Sequence, residues 1–117
     1  MKKFLLTVLL LAGCSAQANE TLDVTINASN TELAAFEPVT ISATVTYNGK
    51  PIENDVEIEF ELINPTGNSI GSVKPVPIGD GKYAIETSFD GTGTYKVISH
   101  VSYGQLHEMP EIEVELK

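Results

Sequence analysis

The fold is decided by the stretch Val39-Thr40-Ile41-Ser42-Ala43-Thr44-Val45-Thr46-Tyr47. Apolar and polar residues alternate through it with a period of two, which is typical of a β-strand with one buried and one solvated face. The same alternation recurs at residues 22–28, 56–62 and 111–116. The sequence therefore predicts a series of half-buried strands.

Turn signals separate these strands. Asn48-Gly49 follows the stretch 39–47, and Asn-Gly is a strong hairpin signal. Residues 69–78 are the least regular, and Pro75 and Pro77 limit them to an edge strand at best. With no convincing helix, the pattern predicts an all-β fold, an immunoglobulin-like antiparallel β-sandwich of about seven strands.

The inward phase of the strands predicts the core, and ten of its residues are Val24, Ile26, Ile41, Val45, Ile58, Phe60, Tyr95, Val97, Ile112 and Val114. Tyr95 lies near the start of the next-to-last predicted strand, where a tyrosine corner hydrogen-bonds its hydroxyl to nearby backbone. A plain core aromatic is the alternative, and both interpretations make Tyr95 structural.

The N-terminus has the composition of an export signal. A basic start, Met1-Lys2-Lys3, precedes an apolar run at residues 4–11 that is too short to span a bilayer. Leu11-Ala12-Gly13-Cys14 then resembles the lipobox of bacterial lipoproteins, whose Cys carries lipid and becomes the mature N-terminus. The alternative is a plain secretory signal. The predicted domains are a lipoprotein signal peptide (1–13), a lipidated Cys14 with a tether (14–21) and the sandwich domain (22–117).

Lipidation at Cys14 would place the protein on the extracytoplasmic face of the cell membrane, held by its N-terminal anchor. Cys14 is the only Cys, so no intrachain disulfide can form. The formal charge is −9, and loss of Lys2 and Lys3 with the signal would make it −11. A chain this acidic, with no Arg, is unsuited to nucleic acid. The sequence also lacks phosphate loops, zinc-protease motifs and nucleophile elbows, so we predict that it is not an enzyme.

The soft metal ligands of the mature chain fall close together. Its two His residues, His100 and His107, and its one Met, Met109, lie within ten residues on a predicted hairpin. With a turn centred on Tyr103-Gly104, His100 would face His107, and Met109 would point to the same side. Two imidazoles and a thioether suit Cu(I), or Cu(II) or Zn(II) if another ligand or water joins.

These three side chains should also be accessible. His107 and Met109 share the phase of Glu111 and Glu113, whose carboxylates belong to the solvated face. A bulge at Pro110 would disturb that phase. The alternative interpretation is that both His residues are ordinary surface residues without a metal.

Several segments together resemble the YtkA-like family: Gly81-Lys82-Tyr83, Gly93-Thr94-Tyr95-Lys96-Val97, His100-Val101 and Leu106-His107-Glu108-Met109-Pro110. Members are small Ig-like sandwiches, often on bacterial lipoproteins, and are related to the FixH group. The resemblance implies copper handling at the outer face of the membrane, in particular for the copper centres of haem–copper oxidases. It maps His100, His107 and Met109 onto the copper-binding positions.

We therefore expect a lipid-anchored extracytoplasmic copper-binding accessory protein that serves metal-centre assembly of a respiratory oxidase. Cu(I) would be its metal and a membrane metalloprotein its partner. The alternative is a metal-free Ig-like surface interaction or adhesion module, and an enzyme or enzyme inhibitor is the third hypothesis.

Overall fold

The computed structural model describes residues 20–117, and no helix occurs among them. In particular, these residues contain no helix with the length and apolar character needed to cross a bilayer. The predicted signal peptide, Cys14 and most of the predicted tether lie outside the described residues. The first strand begins at Leu22, where the sandwich domain was expected to start.

Eleven strands form two sheets. The five-stranded sheet contains β1 (Leu22–Ala28), β3 (Val39–Tyr47), β4 (Lys50–Pro51), β7 (Val76–Gly79) and β8 (Lys82–Thr87). The six-stranded sheet contains β2 (Glu32–Leu33), β5 (Val56–Ile63), β6 (Ser69–Val73), β9 (Gly93–Tyr103), β10 (Leu106–Glu108) and β11 (Glu111–Leu116).

The strand order identifies the sandwich type. One sheet runs β1-β3-β8-β7 and the other β2-β11-β9-β5-β6, which is the arrangement of an immunoglobulin-like fold. The predicted all-β sandwich is confirmed. Some details differ from the expectation: β2, β4 and β10 are additional strands of two or three residues, and β2 pairs with β11 in parallel. Residues 69–79 contain two strands, β6 and β7, where one edge strand at most was predicted, and each lies at the edge of its sheet.

The core lies between the inner faces of the two sheets. Seven of the ten predicted core residues are buried there: Ile41, Val45, Ile58, Phe60, Tyr95, Val97 and Val114. Val24, Ile26 and Ile112 are only partly buried. Val24 and Ile26 lie on the edge strand β1, and Ile112 lies where β2 no longer covers β11. In the described part of the chain, each therefore lacks a neighbouring strand on one side.

Local signals position the turns as predicted. Asn48 and Gly49 both have positive φ, 51° and 84°, as a tight two-residue hairpin turn requires. At the start of β9, the Gly91 N–H donates to the Tyr95 hydroxyl oxygen at 3.2 Å. This is the predicted tyrosine corner, and it packs against Phe89 with ring centroids 4.5 Å apart.

Candidate copper site on the outer face of the last hairpin

The three predicted metal ligands lie on the outer face of the six-stranded sheet. On β9, Tyr95, Val97, Ser99 and Val101 are buried, so the residues between them point outward. His100 is one of these, and its side chain is 41% exposed. His107 is exposed on β10. Met109, which is 62% exposed, is the first residue after that strand.

The predicted pairing of the two histidines is wrong. Tyr103 pairs with Leu106, so the turn is centred on Gly104-Gln105 rather than one residue earlier. His107 therefore lies opposite Ser102 and not opposite His100. When the centre of the turn moves by one residue, the cross-strand partner of each residue moves by two positions. Since side chains alternate with a period of two, every side chain keeps the face that its phase predicts.

The corrected register brings Met109 opposite His100. The pairs Glu108–Val101 and Glu111–Ile98 belong to one unbroken register, so the break between β10 and β11 contains no bulge. Across that break the Ser99 N–H donates to the Pro110 carbonyl at 2.9 Å.

Ser99–Pro110 is thus a hydrogen-bonded pair, and the next pair, His100–Met109, is of the non-hydrogen-bonded kind. In such pairs the side chains lie close, with β-carbons about 4.5–5.5 Å apart. His107 occupies the diagonal position, at about 7–8 Å between backbones. One imidazole and the thioether are therefore direct neighbours, and the second imidazole is within side-chain reach.

Each imidazole already has a hydrogen-bond partner. His100 Nε2 lies 2.9 Å from Glu61 Oε1, across the diagonal between β9 and β5. His107 Nδ1 lies 2.8 Å from Ser102 Oγ, its direct cross-strand neighbour. Each ring therefore keeps its second nitrogen for another partner, as metal-bound His residues commonly do.

Glu61, the hydrogen-bond partner of His100, has a lowered pKa. The hydrogen bond from His100 is the largest cause that lowers the pKa of Glu61. Hydrogen bonding by Ser69 and the charge of His100 also lower this pKa, whereas partial burial raises it. Glu61 is therefore ionised at neutral pH and accepts hydrogen bonds only.

Acidic and basic side chains surround this face. Glu59 lies directly opposite His100 on β5, and Lys74, the residue directly after β6, shares with both a shallow depression of about 360 Å³. Further along β9, Lys96 Nζ lies 3.4 Å from Glu111. Within residues 20–117 no three His, Cys, Asp or Glu side chains are grouped for a metal ion, so ligation here depends on the thioether of Met109.

Two residues of this site are missing from the sequence interpretation. Glu61 and Ser102 both lie in outward phase, which the sequence does show. Their contacts depend on which strands are neighbours and in which register these strands pair. Period-two alternation indicates the face on which a side chain lies, but neither the neighbouring strand nor the register.

The family can now be assigned from the sequence. A match to the YtkA-like family covers residues 16–100 of this chain. The protein belongs to the YtkA-like family. The matched segment contains His100 and ends there, so the YtkA-like assignment itself does not reach His107 or Met109.

Solved structures share this fold. Superoxide reductase (neelaredoxin) from Ignicoccus hospitalis superposes with a TM-score of 0.55 at 15% identity, over 87% of this chain and 85% of its own. The PmoD soluble domain from Methylocystis sp. ATCC 49242 (Rockwell) gives 0.50 at 15% identity, over 84% of this chain and 92% of its own. At such identity the likeness concerns the fold alone. No curated protein matches this YtkA-like chain.

Proposed function

We propose that this protein is a lipid-anchored, extracytoplasmic copper-binding accessory protein that serves the metal-centre assembly of a respiratory oxidase. One observation carries the proposal: the corrected register brings His100 and Met109 face to face on an accessible sheet surface, with His107 on the diagonal. A thioether is a soft ligand that selects Cu(I), and imidazole is a suitable ligand for copper as well as for zinc, iron and nickel. We assign the protein no catalytic step.

The exposure of the candidate ligands supports transfer rather than permanent storage. Met109 is 62% exposed and His107 is also exposed, so a partner's ligands can approach the metal from solvent. A buried, closed ligand shell would instead resemble a structural metal site, which retains its ion.

The position of the site in the domain supports a membrane partner. Glu20 lines one depression together with Tyr103, Gly104 and Leu106, so the chain enters the sandwich beside the β9–β10 turn. Thr21 is held there by hydrogen bonds with Asn48. A lipid on Cys14 would keep this end near the bilayer, and His107 is only three residues beyond Gly104.

Competition for Cu(I) against a chromophoric chelator tests the proposal. We expect one Cu(I) per chain, weaker binding of both Cu(I) and Cu(II) in His107→Ala, and preferential loss of Cu(I) in Met109→Leu. Glu113→Gln is the matched control, since this residue is exposed on the same face opposite Lys96 and supplies no soft ligand. No binding at micromolar metal, or an affinity unchanged in His107→Ala, would refute the copper function.

Membrane fractionation tests the anchor separately. We expect wild type in the membrane fraction and Cys14→Ser either released or retained as uncut precursor. A processed Cys14→Ser protein that still sediments with membranes would contradict lipid attachment at this residue.

The second candidate function is a metal-free surface interaction module, which the edge strands favour. Ile70 and Val73 on β6, and Val76 and Ile78 on β7, are exposed apolar residues on strand edges that no other strand of residues 20–117 pairs with. Such edges can pair with another chain. Phe36, 72% exposed and held at φ 63°, adds an apolar wall to an open cleft of about 620 Å³ nearby. Failure of copper binding would leave this function as the better explanation.

A further inference from the structure

The two histidines of the candidate site differ in what holds them. The hydroxyl of Ser102 can donate or accept, so its contact with His107 Nδ1 is compatible with either tautomer of that ring. The ionised carboxylate of Glu61 can only accept, so a neutral His100 must carry its proton on Nε2. His100 Nδ1 then presents a lone pair, and the hydrogen bonds of residues 20–117 include none to that atom.

The contact between Glu61 and His100 is selective. Glu59 lies directly opposite His100 on β5, yet the ring nitrogen reaches past it to Glu61, on the diagonal. The side chain of Glu61 is only 27% exposed, whereas Glu59 is exposed. Glu61 is thus the better covered of the two carboxylates and the one that contacts the ring, and Glu59 provides a control with the same charge, strand and face.

We propose that Glu61 is the positioning residue of this site: it holds His100 in the Nε2–H tautomer and so makes Nδ1 the metal-binding atom. The statement about the metal rests on the proposed function, whereas the statement about the tautomer does not. Carboxylates that orient a ligating imidazole fix its tautomer and its ring direction in many metal sites. Their loss commonly lowers metal affinity by about 10–100-fold.

The tautomer can be measured without metal. Long-range ¹⁵N–¹H correlation spectra of the ¹⁵N-labelled full chain in detergent micelles, above pH 7.5, distinguish a protonated from an unprotonated ring nitrogen. We expect His100 as Nε2–H in wild type and in Glu59→Gln. In Glu61→Gln the amide can also donate to Nε2, so a mixture of tautomers should appear, and Glu61→Ala should give the same result.

A wild-type His100 protonated on Nδ1, or a tautomer unchanged in both Glu61 variants, would overturn the proposal. Circular dichroism of each variant is the control for folding, and we expect the fold to be retained because Glu61 is partly exposed. His107 serves as an internal reference, since its tautomer should not respond to Glu61.

The copper arm of the experiment uses Cu(I) alone. Glu61→Gln should lower the affinity about 10–100-fold, and Glu59→Gln should leave it unchanged. Equal affinities in wild type and Glu61→Gln would refute the positioning role. If wild type binds no Cu(I), the proposed function fails, and the NMR result still decides whether Glu61 sets the tautomer of His100.

Discussion

A designed disulfide across the last hairpin tests the corrected register. The pair His100→Cys/Met109→Cys replaces facing residues of the non-hydrogen-bonded kind, whose α-carbons lie about 4.5 Å apart. That spacing is within the range of natural disulfides. The pair His100→Cys/His107→Cys replaces diagonal residues, whose α-carbons lie about 7–8 Å apart, beyond the limit of about 7 Å. Both pairs are made in a Cys14→Ser background, so no other thiol is present.

The magnitude follows from the length of the closed loop. Positions 100 and 109 enclose about ten residues, for which the chain-entropy relation gives about 2.7 kcal/mol at 25 °C. The stabilisation is the difference in free energy of unfolding between the oxidised and reduced forms of the same variant. The loss of the His100–Glu61 contact is common to both forms and cancels.

The assay combines thiol titration with urea unfolding followed by circular dichroism. We expect the 100/109 pair to oxidise readily and to gain about 2–3 kcal/mol, and the 100/107 pair to remain reduced under the same mild oxidation. Ready oxidation of the 100/107 pair, with none for 100/109, would refute the register and the face-to-face arrangement of His100 and Met109.

Three further predictions concern stability. Phe60→Ala, at a fully buried position, should cost about 3–5 kcal/mol in urea unfolding, whereas Thr44→Ala on the outer face should change it by about 0.5 kcal/mol; equal effects would mean that the faces are misassigned. Ser99 is fully buried and its hydroxyl has no partner among the described residues, so Ser99→Ala should be neutral or stabilising by up to about 1 kcal/mol, and a cost above that would reveal an unseen hydrogen bond. Burial first, and then the charge of Glu53, raise the pKa of Tyr83, whose hydroxyl donates to the Ile52 carbonyl at 2.8 Å. The stability from neutral Tyr83 is therefore complete below pH 10.0 and lost as the pH rises further. Tyr83→Phe should flatten that alkaline loss and remove a tyrosinate signal that appears near 295 nm above pH 10.0, and an unchanged slope would contradict the shift.

The faces of the strands were predictable because they depend on phase alone. Ile41 and Val45 are buried, as alternation predicts, and the Asn48-Gly49 turn has the backbone its residues favour. Both properties depend on residues that are close in the sequence, so a single sequence is enough to predict them.

The position of the last turn was not predictable from local signals. A single glycine, Gly104, is compatible with a turn centred on either of its sides. Long-range contacts decide between them: Tyr103 stays in the strand, paired with Val56 and packed against Tyr47 with ring centroids 5.1 Å apart. The same dependence on neighbouring strands concealed Glu61 as the partner of His100.

X-ray absorption at the copper edge, on the Cu(I)-loaded full chain, tests the copper site most directly. The proposed site predicts one sulfur and two imidazole nitrogens around copper in wild type, with the sulfur absent in Met109→Leu and one imidazole lost in His107→Ala. A sulfur contribution that persists in Met109→Leu, or a wild-type shell with no sulfur, would contradict copper binding by His100, His107 and Met109.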